Sequence, residues 1–287
     1  MRKFAVIDVG SNSVRLMFVA DGKVLYKALN TTRLGEGLAS SSLLKQEAIE
    51  RSVNVVVGFY DKAKEEGAEE VYAFATAAVR SATNGQAFVD GVRALRPLQV
   101  EVISGEEEAE IGILGALGNS DGGVIDVGGA STEIVVKEKG EIVFKKSVNV
   151  GVVRLKDKCG REQTALMQTA REAAKEYVGF PPIRNLYAIG GTATTLAALA
   201  LELQVYDSEK VTGAVLTKEK MQQMADKLSQ MSVEEIAALP CMPKGRADVL
   251  SGGAVLLATL MQELGIQTLT ASDRDNLEGY AIKHGLL

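Results

Sequence analysis

The stretch "VIDVGSNSVRL" (residues 6–16) returns almost unchanged as "VIDVGGASTEI" (residues 124–134). A shift of 118 residues aligns Val6, Ile7, Asp8, Val9, Gly10 and Ser13 with Val124, Ile125, Asp126, Val127, Gly128 and Ser131. The register continues without a gap to Gly22/Gly140 and Lys27/Lys145, eight identities in 22 positions. Each copy reads as an apolar strand, a glycine loop, a second strand, a tight turn and a third strand. The turn signals are Asp21-Gly22 and Lys139-Gly140 between apolar runs. A duplicated three-stranded unit implies two related domains side by side. The boundary falls near "GNSDGG", giving residues 1–122 and 123–287, with a last helix of about residues 275–287 free to pack back on the first domain.

The rest of the chain alternates helix and strand in the α/β manner. "KQEAIERSVNVVVGFYDKAKEEG" sets Ile49, Val53, Val56 and Ala63 on one helical stripe and closes on Gly67. Strand-like "EEVYAFAT" and "LQVEVIS" flank a helical "NGQAFVDGVRAL", and the second half repeats the theme through "NLYAIGG" and "IQTLTAS". Charged helices are expected around residues 217–239.

Composition narrows the function. A net charge of −5 argues against a nucleic-acid or membrane-surface binder, while leaving room for a locally positive site that takes an anion. Two cysteines without a C-x-x-C pattern suit free thiols of a reducing, cytoplasmic compartment. No secretory leader is legible after "MRK". One histidine, His284, excludes a Ser/His/Asp triad and a His-rich zinc site. A metal would be held by carboxylates and water, which favours Mg²⁺, with Mn²⁺ as the second choice.

The loop chemistry points to phosphate. An Asp at the carboxyl end of a buried strand, followed by small residues, offers a carboxylate beside backbone N–H groups that can approach an anion closely. Two such loops facing each other, Gly10-Ser11-Asn12-Ser13 and Gly128-Gly129-Ala130-Ser131, would clamp a phosphate chain, with Asp8 and Asp126 as metal-associated acids.

These paired loops resemble the phosphate motifs of the actin-like, sugar-kinase and Hsp70 ATPase superfamily. In detail the chain resembles the exopolyphosphatase and guanosine pentaphosphate phosphatase family. The matching segments are "DVGSNSVRL" (8–16), "RLGEGL" (33–38), "FATAAVRSATNG" (74–85), "ISGEEEAEIG" (103–112), "DVGGASTEI" (126–134), "NVGVVRL" (149–155) and "AIGGTATTLAAL" (188–199). The resemblance implies an α/β fold of two duplicated ribonuclease-H-like (actin-like ATPase) domains with an interdomain cleft. It also implies Mg²⁺-dependent attack of water on a terminal phosphoanhydride of inorganic polyphosphate or guanosine pentaphosphate, and a homodimer.

Carried over residue by residue, Glu108 matches the catalytic base, Arg80 a phosphate-contacting arginine, and Glu133 an acid near the water or metal. Read by itself, Glu108 is one of three acids in a helix's first turn, where negative charge is favourable anyway. Glu133 stands where the first copy has Arg15, so the two halves differ in sign at that position. Arg33, Arg154 and Arg246 offer themselves equally as channel-lining or ordinary surface cations, and Gly190-Gly191 as the superfamily's second-domain turn.

Two departures from the family pattern stand out. The helical, phosphohydrolase-like extension of longer members is expected to be absent. Ala130 occupies the place of a common third glycine, with phosphate binding expected to survive. Two other readings share these loops: a binding protein for polyphosphate or guanosine tetraphosphate with little turnover, and an ATP-dependent small-molecule kinase of the same superfamily. The "ISGEEEA" match speaks against the second.

Overall fold

The computed structural model describes residues 2–287. Among the described residues eleven strands form two mixed sheets. The first holds β1 (Lys3–Val9), β2 (Ser13–Ala20), β3 (Lys23–Thr31), β4 (Glu70–Ala75) and β5 (Val100–Val102), in the order β3-β2-β1-β4-β5. The second holds β6 (Gly122–Val127), β7 (Thr132–Glu138), β8 (Glu141–Val148), β9 (Leu186–Ile189), β10 (Val215–Thr217) and β11 (Thr268–Ala271), in the order β10-β11-β9-β6-β7-β8. In both sheets an antiparallel meander of three strands is followed by parallel partners reached through helices. The two halves therefore share one strand order, with β10 added at the far edge of the second.

The duplication extends to defects in the ladders. β2 and β3 slip register between Phe18 and Val19, and β7 and β8 slip between Val136 and Lys137, positions again 118 apart. Both hairpins turn through left-handed pairs, Asp21 and Gly22 at φ 51° and 73°, and Lys139 and Gly140 at φ 53° and 82°. Such pairs match the right-handed twist of the flanking strands. The expected turn residues thus do the expected work.

β1 is buried along nearly its whole length, as befits a central strand covered on both faces. One face of the first sheet packs on the Gln46–Glu65 helix, where Ile49, Val53, Val56 and Ala63 are all buried. The other face is covered by Ile111 of the Gly105–Leu117 helix and by Leu277, Tyr280 and Ala281 of the last helix, Asn276–Lys283. The chain thus ends against the sheet on which it began.

These last two helices cross at very short range. A Cβ on Gly279 would fall inside the Ile111 carbonyl, and one on Gly115 inside the Asp275 carbonyl. Glycine at both positions is a packing requirement. β10 has no counterpart among the sequence expectations, because three residues are too few to show a period.

Candidate active site

Both signature loops leave a central strand at its carboxyl end and turn back at once. Gly10 N–H donates to the Ser13 carbonyl at 3.0 Å, and Gly128 N–H donates to the Ser131 carbonyl at 3.0 Å. Behind the first loop, the Ser11 carbonyl accepts from Gly35 N–H at 2.8 Å, and the Asn12 carbonyl from Arg33 N–H at 2.9 Å. Behind the second, the Gly129 carbonyl accepts from Val153 N–H at 2.7 Å, and the Gly128 carbonyl from Val152 N–H at 2.9 Å. Gly35 and Val153 are again 118 residues apart, so the repeat holds in three dimensions beyond the stretch where it is legible as sequence. A trans peptide points its N–H away from its C=O. With these carbonyls held from behind, the N–H groups of Asn12, Gly129 and Ala130 point the opposite way, away from the donors that hold the carbonyls.

The loops meet at Gly129, where a Cβ would lie 2.7 Å from the Ser11 Cβ and 3.1 Å from the Asn12 nitrogen. Next to that contact lies a cavity of about 90 Å³. It is lined by residues of both loops together with Asp8, Thr76, Glu108, Asp126, Arg246 and Asn276. All eight loop residues expected to bind phosphate lie on its wall, as do Asp8, Asp126 and Glu108. Ala130 is buried and keeps a negative φ, so the loop does not require glycine there.

Arg80 and Glu133 stand behind the wall rather than on it. Arg80 donates to the Ile103 carbonyl at 2.8 Å and to Glu108 Oε2 at 3.0 Å. The first turn of the Gly105–Leu117 helix divides three acids among three situations. Glu106 is exposed, Glu107 closes a capping box with Ser104, and Glu108 is 7% exposed and points inward. Burial and the neighbouring Glu133 charge push Glu108 well above the usual carboxylate range, with Arg80 opposing them. Such a carboxylate is a strong proton acceptor.

The remaining acids behave differently in the two halves. Asp8 lies across from Arg15 on the β1–β2 ladder, and the guanidinium bridges Asp8 and Asp275. Burial still raises Asp8. Asp275 resists its own burial through Arg15 and Lys27, which hold it below the ordinary value. Asp126 lies across from Glu133 and has no cation in the equivalent place. Burial and the Glu108 charge raise it to about 8. Glu133 is raised too, by burial and by Asp126, against hydroxyls of Ser147 and Ser131.

Three residues of the site were absent from the sequence expectations or undecided there. Asp275 and Asn276 open the last helix, where Asp275 is the N-cap of a capping box with Glu278 and Asn276 donates to Asp126 Oδ2 at 3.3 Å. The D-x-x-E signature was the available signal, but it announces only a helix start. Arg246 is the one of the three undecided arginines that reaches the cavity. Its guanidinium lies on Gly191, and burial lowers it to about 10. Arg33 pairs with Asp248 at 2.9 Å and Arg154 donates to Ser81 at 2.8 Å, both away from the cavity.

A hard divalent cation suits this donor set. Oδ1 of Asp8 and Oδ1 of Asn276 are buried without hydrogen-bond partners, and burial with the Glu108 charge raises Asp126 despite Arg15. Among the described residues no three His, Cys, Asp or Glu side chains gather into a cage for a metal.

Comparison with known proteins places this geometry in context. A family model described as the Ppx/GppA phosphatase family matches residues 5–287. Exopolyphosphatase 2 of Mycobacterium tuberculosis is 33% identical, over 98% of either chain. The guanosine-5'-triphosphate,3'-diphosphate pyrophosphatase of Photobacterium profundum is 29% identical over 99% of this chain. There the match spans only 58% of the relative's length. The crystal structure of the Aquifex aeolicus member of the Ppx/GppA family superposes with a TM-score of 0.80 at 28% identity, covering 99% of this chain and 98% of that one.

Proposed function

The chain belongs to the Ppx/GppA phosphatase family and is a phosphoanhydride hydrolase, and from that premise we propose that it is an exopolyphosphatase releasing terminal phosphate from inorganic polyphosphate with Mg²⁺. The observation that carries this reading is the convergence of both signature loops and Glu108 on one cavity. The terminal phosphoryl group sits between the loops, held by the N–H groups of Asn12, Gly129 and Ala130 and by the loop hydroxyls. Asp8, Asp126 and the Asn276 amide oxygen are the groups that would hold the cation. When bound, the cation would offset charge on the phosphate oxygens. Glu108 orients the attacking water and takes its proton. Arg80 keeps the Glu108 carboxylate aimed, and Glu133 behind it raises its proton affinity. Catalysis then consists mainly of placement and electrostatics.

A larger cavity of about 1370 Å³ adjoins the small one through Arg15, Gly190, Gly191 and Arg246. Its lining mixes Leu25, Leu29 and Tyr206 with cations and acids in similar number, Lys27 and Arg274 beside Asp273 and Glu278. Such a surface suits a substrate with an organic part, which supports guanosine pentaphosphate as a second substrate. Among the described residues no helix is long and apolar enough to cross a membrane. Cys159 and Cys241 are free thiols.

The test is phosphate release from short and long polyphosphate, guanosine pentaphosphate and ATP, with Mg²⁺ or Mn²⁺. Release from polyphosphate that disappears in Glu108→Gln is expected. A wild-type protein that hydrolyses none of the four would refute the assignment.

A further inference from the structure

Glu133 has a neighbour that the first half of the chain lacks. On β6–β7 Asp126 is opposite Glu133, and on β7–β8 Glu133 is opposite Ser147. The equivalent row of the first sheet is Asp8, Arg15 and Leu29. Residues directly opposite on antiparallel strands share a face and touch through their side chains. Where the second half has an acid in place of the arginine, it also has a hydroxyl in place of the leucine. The two differences occur side by side.

The contact is direct. The Ser147 hydroxyl donates to Glu133 Oε1 at 2.6 Å, and Glu133 is 2% exposed. Its second oxygen, Oε2, is buried without a partner. Ser147 is also held from above, because a Cβ on Gly105 would lie 2.7 Å from both its Cβ and its Oγ. Gly105 begins the helix that carries Glu108. The serine is thus packed between the first turn of that helix and the Glu133 carboxylate.

We propose that Ser147 is a positioning residue, its hydroxyl fixing the Glu133 carboxylate in the orientation that the Glu108 site requires. A short hydrogen bond on one oxygen favours one orientation for a side chain whose other neighbours are the Asp126 and Glu108 carboxylates, the Ser131 hydroxyl and the Arg80 guanidinium. This role rests on the assignment of Glu108 and Glu133 to the hydrolytic site.

The experiment compares wild type, Ser147→Ala, Ser147→Cys, Glu133→Gln and the Ser147→Ala/Glu133→Gln double variant, using polyphosphate and Mg²⁺, with folding checked by thermal melting. Loss of a hydrogen bond to a buried charged group predicts about a tenfold fall in kcat for Ser147→Ala, with KM unchanged. Ser147→Cys, of similar shape but a weaker donor, is expected to fall between the two. In the Glu133→Gln background Ser147→Ala is expected to cost nothing more. A wild-type kcat in Ser147→Ala, or the full loss repeated on top of Glu133→Gln, overturns the proposal. Should the alanine variant not fold, the cysteine variant carries the same comparison.

A second readout needs no turnover. The isotope-edited infrared carboxylate band of Glu133, identified by its loss in Glu133→Gln, is expected to shift in Ser147→Ala and Ser147→Cys. An unmoved band refutes the serine's role even in an active enzyme. A shifted band in a protein that hydrolyses nothing removes the hydrolase assignment and leaves the hydrogen bond standing.

Discussion

Asp126 stands directly across the β6–β7 ladder from Glu133, at the register where Asp8 stands across the β1–β2 ladder from Arg15. One duplicated frame therefore holds an ion pair in its first half and two acids in its second. Placing two acids opposite each other on buried strands is destabilising by itself. The second half holds this arrangement at the wall of the cavity, where Asp126 faces the loops.

That charge imbalance sets a pH dependence. Asp126 titrates at about 8 in the folded chain, against an ordinary value of 3.8, because it is buried beside Glu108. Between those values the folded protein holds a proton that the unfolded chain has released. The stability from this group is complete below the unfolded value and lost as pH rises through the folded one. Glu133 acts in the same direction. Thermal melting of the ligand-free protein is expected to show Asp126→Asn gaining on wild type as pH rises from about 5 to about 9. An advantage that is flat or shrinks with pH would contradict the assigned shift.

Glu108→Gln keeps the shape of the side chain and a hydrogen-bonding group for Arg80 but removes the proton acceptor. A fall in kcat of about 10²–10⁴ is expected, with KM little changed. Steady-state phosphate release measures it. A fall confined to KM would place Glu108 in binding instead.

Adjacent positions of the second loop should respond oppositely to one methyl group. Gly129→Ala places a Cβ 2.7 Å from Ser11 and must push the two loops apart. A loss of activity of at least about tenfold is expected from misplacement of the phosphate donors. Ala130→Gly removes a methyl the loop already accommodates. Activity close to wild type is expected, with a stability loss of about 0.4–1 kcal/mol from greater freedom of the unfolded chain. Equal effects at both positions would show that the loops do not touch as described.

Gly279→Ala drives a methyl into the Ile111 carbonyl where the last helix crosses the Gly105–Leu117 helix. Overpacking of this kind costs about 1–3 kcal/mol or more. Because Asp275 and Asn276 open the same helix, activity should fall together with stability. Denaturant unfolding and phosphate release on the same samples check this, and a variant as stable as wild type would disprove the close crossing.

The sequence by itself determined the duplicated βββ unit, its hairpin turns, the α/β alternation and the two glycine loops. Those features are written in local chemistry, namely strand periodicity, Asp-Gly and Lys-Gly turns and small residues after a buried Asp. Placement on the cavity wall of Asp8, Asp126 and the eight loop residues follows from the same local signals. Glu108 needed a family resemblance, since three successive acids at a helix start look alike until burial distinguishes them. What only the tertiary structure decided is which charges meet. Arg80 reaches Glu108 across 28 residues and Arg15 reaches Asp275 across 260. Ser147 meets Glu133 through a ladder register that no residue type announces. Such pairings depend on how sheets and helices stack, and stacking is a property of the whole chain. The repeat supplied two equal frames; packing made one an ion pair and the other a site with its acids held close.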